Sequence, residues 1–260
     1  MRSALINGIQ IHYRLDGPQD GPVLVFSNSL GTDLRVWDGL LSHLPPGYRI
    51  LRYDTRGHGL SDAPHGEYDM ADLVRDAGDL IAHLGLGPVV FVGLSIGGLI
   101  AQGLAAERPG LLRGAVFMDT AAKIGTEEMW AERIAAIRTG GIAALHDATM
   151  ARWFSPAFRA DPGKLTPWSH MLTRTPPQGY MGCARAIAMT DLYDSTARLR
   201  LPVLGIGGSE DGSTPPDLVR ETTKLVPNGR FELIRGVGHL PCVEAPEQTA
   251  RLIAHFVAGI

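Results

Sequence analysis

Cysteine is scarce: Cys183 and Cys242 are the only two in 260 residues. Far apart in the chain, they define no disulfide framework and read as two reduced, partly buried thiols. Paired His or Cys spacing of the zinc-site kind is missing too, although nine histidines are present, so neither a metal nor any other cofactor is expected. No run approaches the ~18 apolar residues of a membrane span, and the opening Met1-Arg2-Ser3-Ala4-Leu5 has no apolar stretch of the signal-peptide kind. A cytoplasmic location is the resulting expectation. Charge of one sign is not in excess either. With 24 Lys and Arg against 27 Asp and Glu, the net charge is -3, which gives no electrostatic reason to expect nucleic acid or an anionic membrane as partner. Internal repeats and low-complexity tracts are absent.

What is there suits one globular core with an inserted subdomain: 45% of residues are hydrophobic and 20% charged. Leu5 to Leu15 reads as a hairpin turning at Asn7-Gly8. Val23–Phe26, Ile50–Tyr53, Val89–Val92, Ala115–Met118, Val203–Ile206 and Phe231–Ile234 are short, nearly continuous apolar runs, as expected of strands covered on both faces. Helical spacing of apolar residues separates them at Met70–Leu84, Ile96–Glu107, Asp217–Leu225 and Glu247–Val257. The alternation predicts an α/β fold with a mostly parallel eight-stranded sheet and helices on both faces. It breaks between about 121 and 196, where Trp130–Arg138, Ile142–Phe154 and Met181–Met189 look helical with no strand between them. A small helical cap of residues 121–196, inserted after the sixth strand into a core of 1–120 and 197–260, accounts for this break.

Gly93-Leu94-Ser95-Ile96-Gly97 fits G-x-S-x-G, a weak signal alone in a chain with 32 glycines. Its context strengthens it, because it follows an apolar strand and opens a helix. Ser95 is thereby expected on a sharp strand-to-helix turn at the carboxyl end of the sheet, where open α/β sheets bind ligands. A hydroxyl is a poor nucleophile near neutrality and needs a histidine base oriented by a carboxylate. His239, in the glycine-rich loop Gly236 to Pro241, is the candidate base; His12, His83 and His255 have local structural explanations. The acid is expected just past a strand, between Ser95 and His239 in chain order. Asp211 is preferred, with Asp119 as first rival and then Glu210, which precedes Asp211 in the chain. The backbone N–H of Ile96 and one from the loop Ser27 to Gly31, assigned to Leu30, would form the oxyanion hole.

With these residues in hand, nearly the whole chain resembles the α/β-hydrolase superfamily, and Asp54 to Asp62 matches its D-x-R-G-x-G-x-S-D signature, read here as structural. More narrowly, Ser27 to Asp38, Trp130 to Ile134 and Gly238 to Pro246 resemble the 3-oxoadipate enol-lactonases. That resemblance implies hydrolysis of a small anionic lactone in the catabolism of aromatic compounds, without a cofactor. Arg133, with Trp130 beside it, would then meet the substrate carboxylate; the plainer alternative is that the two only pack the cap. Carboxylesterases, carbon–carbon bond hydrolases and cofactor-free haloperoxidases of the same fold share the triad, and a ligand receptor that keeps the fold is the rival from another class. A dinucleotide-binding reading fails for want of G-x-G-x-x-G spacing.

Overall fold

In the computed structural model, which describes all 260 residues, the chain begins with an antiparallel hairpin of β1 (Arg2–Ile6) and β2 (Ile9–Asp16). Its turn puts Asn7 at φ 50° and Gly8 at φ 81°, the two positive values that a tight turn between twisted strands requires. Six further strands follow: β3 (Val23–Ser27), β4 (Arg49–Tyr53), β5 (Val89–Leu94), β6 (Leu112–Met118), β7 (Val203–Gly208) and β8 (Arg230–Ile234). The sheet order is β1-β2-β4-β3-β5-β6-β7-β8, antiparallel at the hairpin and its junction with β4 and parallel from there on. Every residue of β5 and of β7 is buried, so both faces of the sheet are covered there, as their unbroken apolar runs imply.

The core helices are α1 (Asp38–Leu41), α2 (Met70–His83) and α3 (Ile96–Glu107) before the insertion. The insertion between β6 and β7 holds α4 (Glu127–Gly140), α5 (His146–Trp153), α6 (Pro156–Arg159), α7 (Pro162–Thr173), α8 (Pro177–Ala188) and α9 (Tyr193–Ala197). After it come α10 (Pro216–Leu225), α11 (Pro241–Glu244) and α12 (Pro246–Ala258). The sequence reading foresaw α4, α5 and α8 but not α7. Pro167 interrupts that helix and, of its twelve residues, only Leu172 is buried, so it carries little apolar periodicity. Its start was nevertheless written locally: Asp161 caps the N–H groups of Gly163 and Lys164, and Pro162 occupies the first turn.

The cap is tied to the sheet at two places that matter for the site. The backbones of Gly57 and Gly179 approach so closely that a Cβ on Gly57 would lie 2.5 Å from Gly179 Cα; any side chain there would push α8 away. At the end of α5, the carbonyl of Arg152 accepts the N–H of Gly212 at 3.1 Å and that of Trp153 accepts the N–H of His239 at 2.8 Å. Those bonds fasten α5 to the two core loops that carry Asp211 and His239.

Candidate active site

Ser95 sits between β5 and α3 with φ 58° and ψ -117°, a conformation sterically disfavoured for a residue with a side chain. The neighbourhood enforces it. Its N–H donates to Met118 O at 2.9 Å, and its carbonyl accepts from Gly98 N and from Thr120 Oγ1 at 2.8 and 2.7 Å. A Cβ on Gly97 would run into the carbonyl of Ser27, and one on Gly93 into the carbonyl of Gly97, so the turn can be this tight only with glycine on both sides. Ser95 lines a cavity shared with His239.

His239 Nδ1 and Asp211 Oδ2 are 2.8 Å apart and both residues are buried. Asp211 Oδ1 accepts the N–H groups of Ser213 and Thr214 at 2.7 and 3.1 Å, and Thr214 Oγ1 donates to Oδ2 at 2.7 Å. Burial alone would raise the Asp211 carboxyl, but the charge of His239 and these hydrogen bonds hold it below its ordinary value. Of the two rival acids, Glu210 is exposed. Asp119 is fully buried at the end of β6, where Oδ1 accepts the N–H of Gly208 at 2.8 Å and Oδ2 has no partner. Burial and the neighbouring Asp211 charge push its carboxyl well above the usual range. Asp211, not Asp119 or Glu210, holds the histidine.

The backbone N–H groups of Leu30, which lines the same cavity, and of Ile96, next to Ser95, donate to no protein acceptor. Leu30 is held by its neighbours: Gly31 N–H donates to His58 Nε2 at 2.9 Å, and Asn28 bridges Tyr53 O and the Trp37 indole at 2.8 Å each. Burial pushes His58 down to about 4, so it stays a neutral acceptor at Nε2, with the Nδ1 proton directed to Arg56 O at 3.2 Å. Asp54 Oδ1 accepts the N–H of Leu34 at 2.8 Å. The D-x-R-G-x-G-x-S-D segment thus buttresses the loop that carries Leu30. The cap closes the cavity with Trp130, Arg133, Arg152 and Tyr180. Arg133 Cζ stands 4.6 Å from the centre of the Trp130 ring, while the indole N–H donates to Ile124 O at 2.7 Å.

The sequence model described as the alpha/beta hydrolase family matches residues 24–252. The chain belongs to that family. Among relatives, this hydrolase is 34% identical to 3-oxoadipate enol-lactonase 1 of Acinetobacter baylyi, over 97% of this chain and 95% of that one. It is 33% identical to 3-oxoadipate enol-lactonase 2 of the same organism, over 92% and 90%. Its structure superposes on the crystal structure of the enol-lactonase from Burkholderia xenovorans with a TM-score of 0.95, at 34% identity and covering 99% of this chain and all of that one.

Of the polar residues of the hydrolase's cavity that escaped the sequence reading, Ser29 and Arg152 bear most on its chemistry. Ser29 Oγ lies 3.4 Å from His239 Nε2; only its place in the loop beside Leu30 pointed to it. Arg152 had no local signal, since α5 mixes the polar His146, Asp147, Thr149 and Arg152 with four apolar residues. One cluster has the composition of a metal site: Asp119, Asp211 and His239 place ligand atoms within 4.8 Å of one another. There the His239 Nδ1 atom is already committed to Asp211, so the donor set fits a hydrogen-bonded dyad better than an ion. No helix is long and apolar enough to cross a membrane, and both cysteines are free and buried.

Proposed function

We propose that this hydrolase opens a small anionic enol-lactone, 3-oxoadipate enol-lactone, through an acyl-enzyme on Ser95, as a step in aromatic-compound catabolism. The reading is carried by the Asp211–His239 pair at 2.8 Å in a cavity shared with Ser95. Asp211 accepts the Nδ1 proton and so leaves Nε2 unprotonated, facing the cavity as a base. Ser95 Oγ gives its proton to Nε2 and bonds to the lactone carbonyl carbon, while the N–H groups of Leu30 and Ile96 receive the oxyanion. Collapse breaks the ring C–O bond, the leaving enolate takes the proton from His239, and tautomerisation to the ketone draws the step forward. Water then gives a proton to His239 and attacks the acyl ester, and Ser95 leaves with that proton.

In the unliganded protein the Nε2 partner is Ser29 Oγ at a long 3.4 Å. Substrate must therefore draw Ser95 and His239 into hydrogen-bond range, the usual tightening of catalytic contacts on binding. Arg133 is the cation for the carboxylate, and Trp130 gives the apolar wall. The purified protein, assayed on the enol-lactone and on simple lactones, with Ser95 traced by a fluorophosphonate and peptide mass spectrometry, tests this reading. Enol-lactone turnover well above that of simple lactones, abolished by the label on Ser95, is expected. Label on another residue, or no turnover of the enol-lactone, overturns it.

A further inference from the structure

Two arginines from different cap helices, Arg133 on α4 and Arg152 on α5, line the cavity that holds Ser95 and His239. No aspartate or glutamate lines it with them. Neither arginine takes part in any of the protein's ion pairs, although the chain has 27 acidic residues. Each guanidinium presents five N–H donors. Against these, Arg133 has a thioether contact with Met129 Sδ at 3.7 Å, and Arg152 a hydrogen bond to Thr149 Oγ1 at 3.2 Å. Stacking on Trp130 occupies the face of Arg133 but leaves its edge donors free.

Such a pair is costly in the empty protein. Burial depresses both guanidinia, and the charge of Arg152 depresses Arg133 further, so the two lie within each other's field. A packing role would be served better by one cation beside a carboxylate, or by none. The backbone that carries Arg152 is fixed to the core, since its own carbonyl binds Gly212 and that of Trp153 binds His239.

We infer that Arg133 and Arg152 together grip one carboxylate from two sides, which makes Arg152 a specificity-determining residue and restricts good substrates to esters and lactones with a free carboxylate on the acyl portion. The acyl portion follows from the lactone-opening reading on which this rests, because a charge there stays in the clamp through both acylation and deacylation. A charge on a departing alcohol would leave after the first.

Two esters that differ only at the end of the acyl chain test the clamp without using the enol-lactone: mono-4-nitrophenyl adipate, with a terminal carboxylate, and 4-nitrophenyl hexanoate, with a methyl. The wild-type protein should prefer the adipate ester in kcat/KM. Arg152→Gln and Arg133→Gln should each reduce the adipate-to-hexanoate ratio by at least about tenfold, as expected when one partner of a desolvated charge pair is removed. Arg152→Lys, which keeps the charge but not the fork, should lose less. Adipate itself should inhibit hexanoate ester hydrolysis competitively in the wild type, with a Ki at least about tenfold higher in either Gln variant. A wild-type protein without preference for the adipate ester, or an Arg152→Gln variant with an unchanged ratio and Ki, overturns the clamp. If the clamp holds while the enol-lactone is not turned over, the lactone reading alone fails.

Discussion

The two walls of the cavity meet opposite electrostatic conditions. On the core side, Asp211 and His239 answer each other, and Ser213 and Thr214 saturate what remains of the carboxylate. The donors left open on that side are the backbone N–H groups of Leu30 and Ile96. On the cap side, Arg133 and Arg152 face the same space with one hydroxyl and one sulfur atom between them. The Asp211–His239 pair is thus already set in the unliganded protein, while the arginines of the cap wall have no anionic partner. Reaction type is to be sought in the first wall and substrate choice in the second.

That division can be broken most sharply at the core. Ser95→Ala and His239→Ala should each lower kcat/KM by at least about 10⁴-fold with unaltered circular dichroism, because the proposed nucleophile and base would act as a unit. Activity within tenfold of wild type in a folded variant would move the chemistry elsewhere. Next in size is the contrast between the two buried acids. Asp211→Asn should cost roughly 10²- to 10⁴-fold through the wrong histidine tautomer. In Asp119→Asn an amide replaces a carboxyl whose charged form burial and the neighbouring Asp211 disfavour, and kcat should stay within about threefold. If Asp119→Asn proves the more damaging, the carboxylates have exchanged roles.

The smallest expected effect concerns the buttress. His58, held near 4 by burial, stays neutral where an unfolded chain, with a histidine value of ~6.5, takes up a proton. The unfolded state therefore binds more protons between those values, and stability falls as pH drops from about 6.5 to about 4. The urea midpoint of the wild type should fall between pH 7 and pH 5, and His58→Gln, which cannot titrate, should flatten that fall. An equal fall in both proteins would assign the acid sensitivity to other groups.

The core wall was legible in the sequence because its positions are set by backbone order. A strand, a turn and a helix place Ser95, and the loops after β7 and β8 bring Asp211 and His239 to the same end of the sheet. Even so, the preference for Asp211 over Asp119 needed the structure to decide it, since both follow a strand and only the third dimension shows which one reaches Nδ1. The cap was less legible for a related reason. Arg152 belongs to the site through the packing of α5 on two core loops and not through any spacing, and α7 hides its helical nature behind Pro167. The neutral state of His58, likewise, depends on burial that no local pattern announces.

Backbone strain at Ser95 has a consequence for anyone improving this protein by selection. An L-residue held at φ 58° and ψ -117° costs on the order of 1–3 kcal/mol, and glycine would relieve most of it. Ser95→Gly is thus among the substitutions expected to raise heat resistance, and it deletes the proposed nucleophile. A library sorted only for survival on heating would enrich inactive chains and score them as improvements. Selection on this scaffold has to read turnover and melting from the same clone.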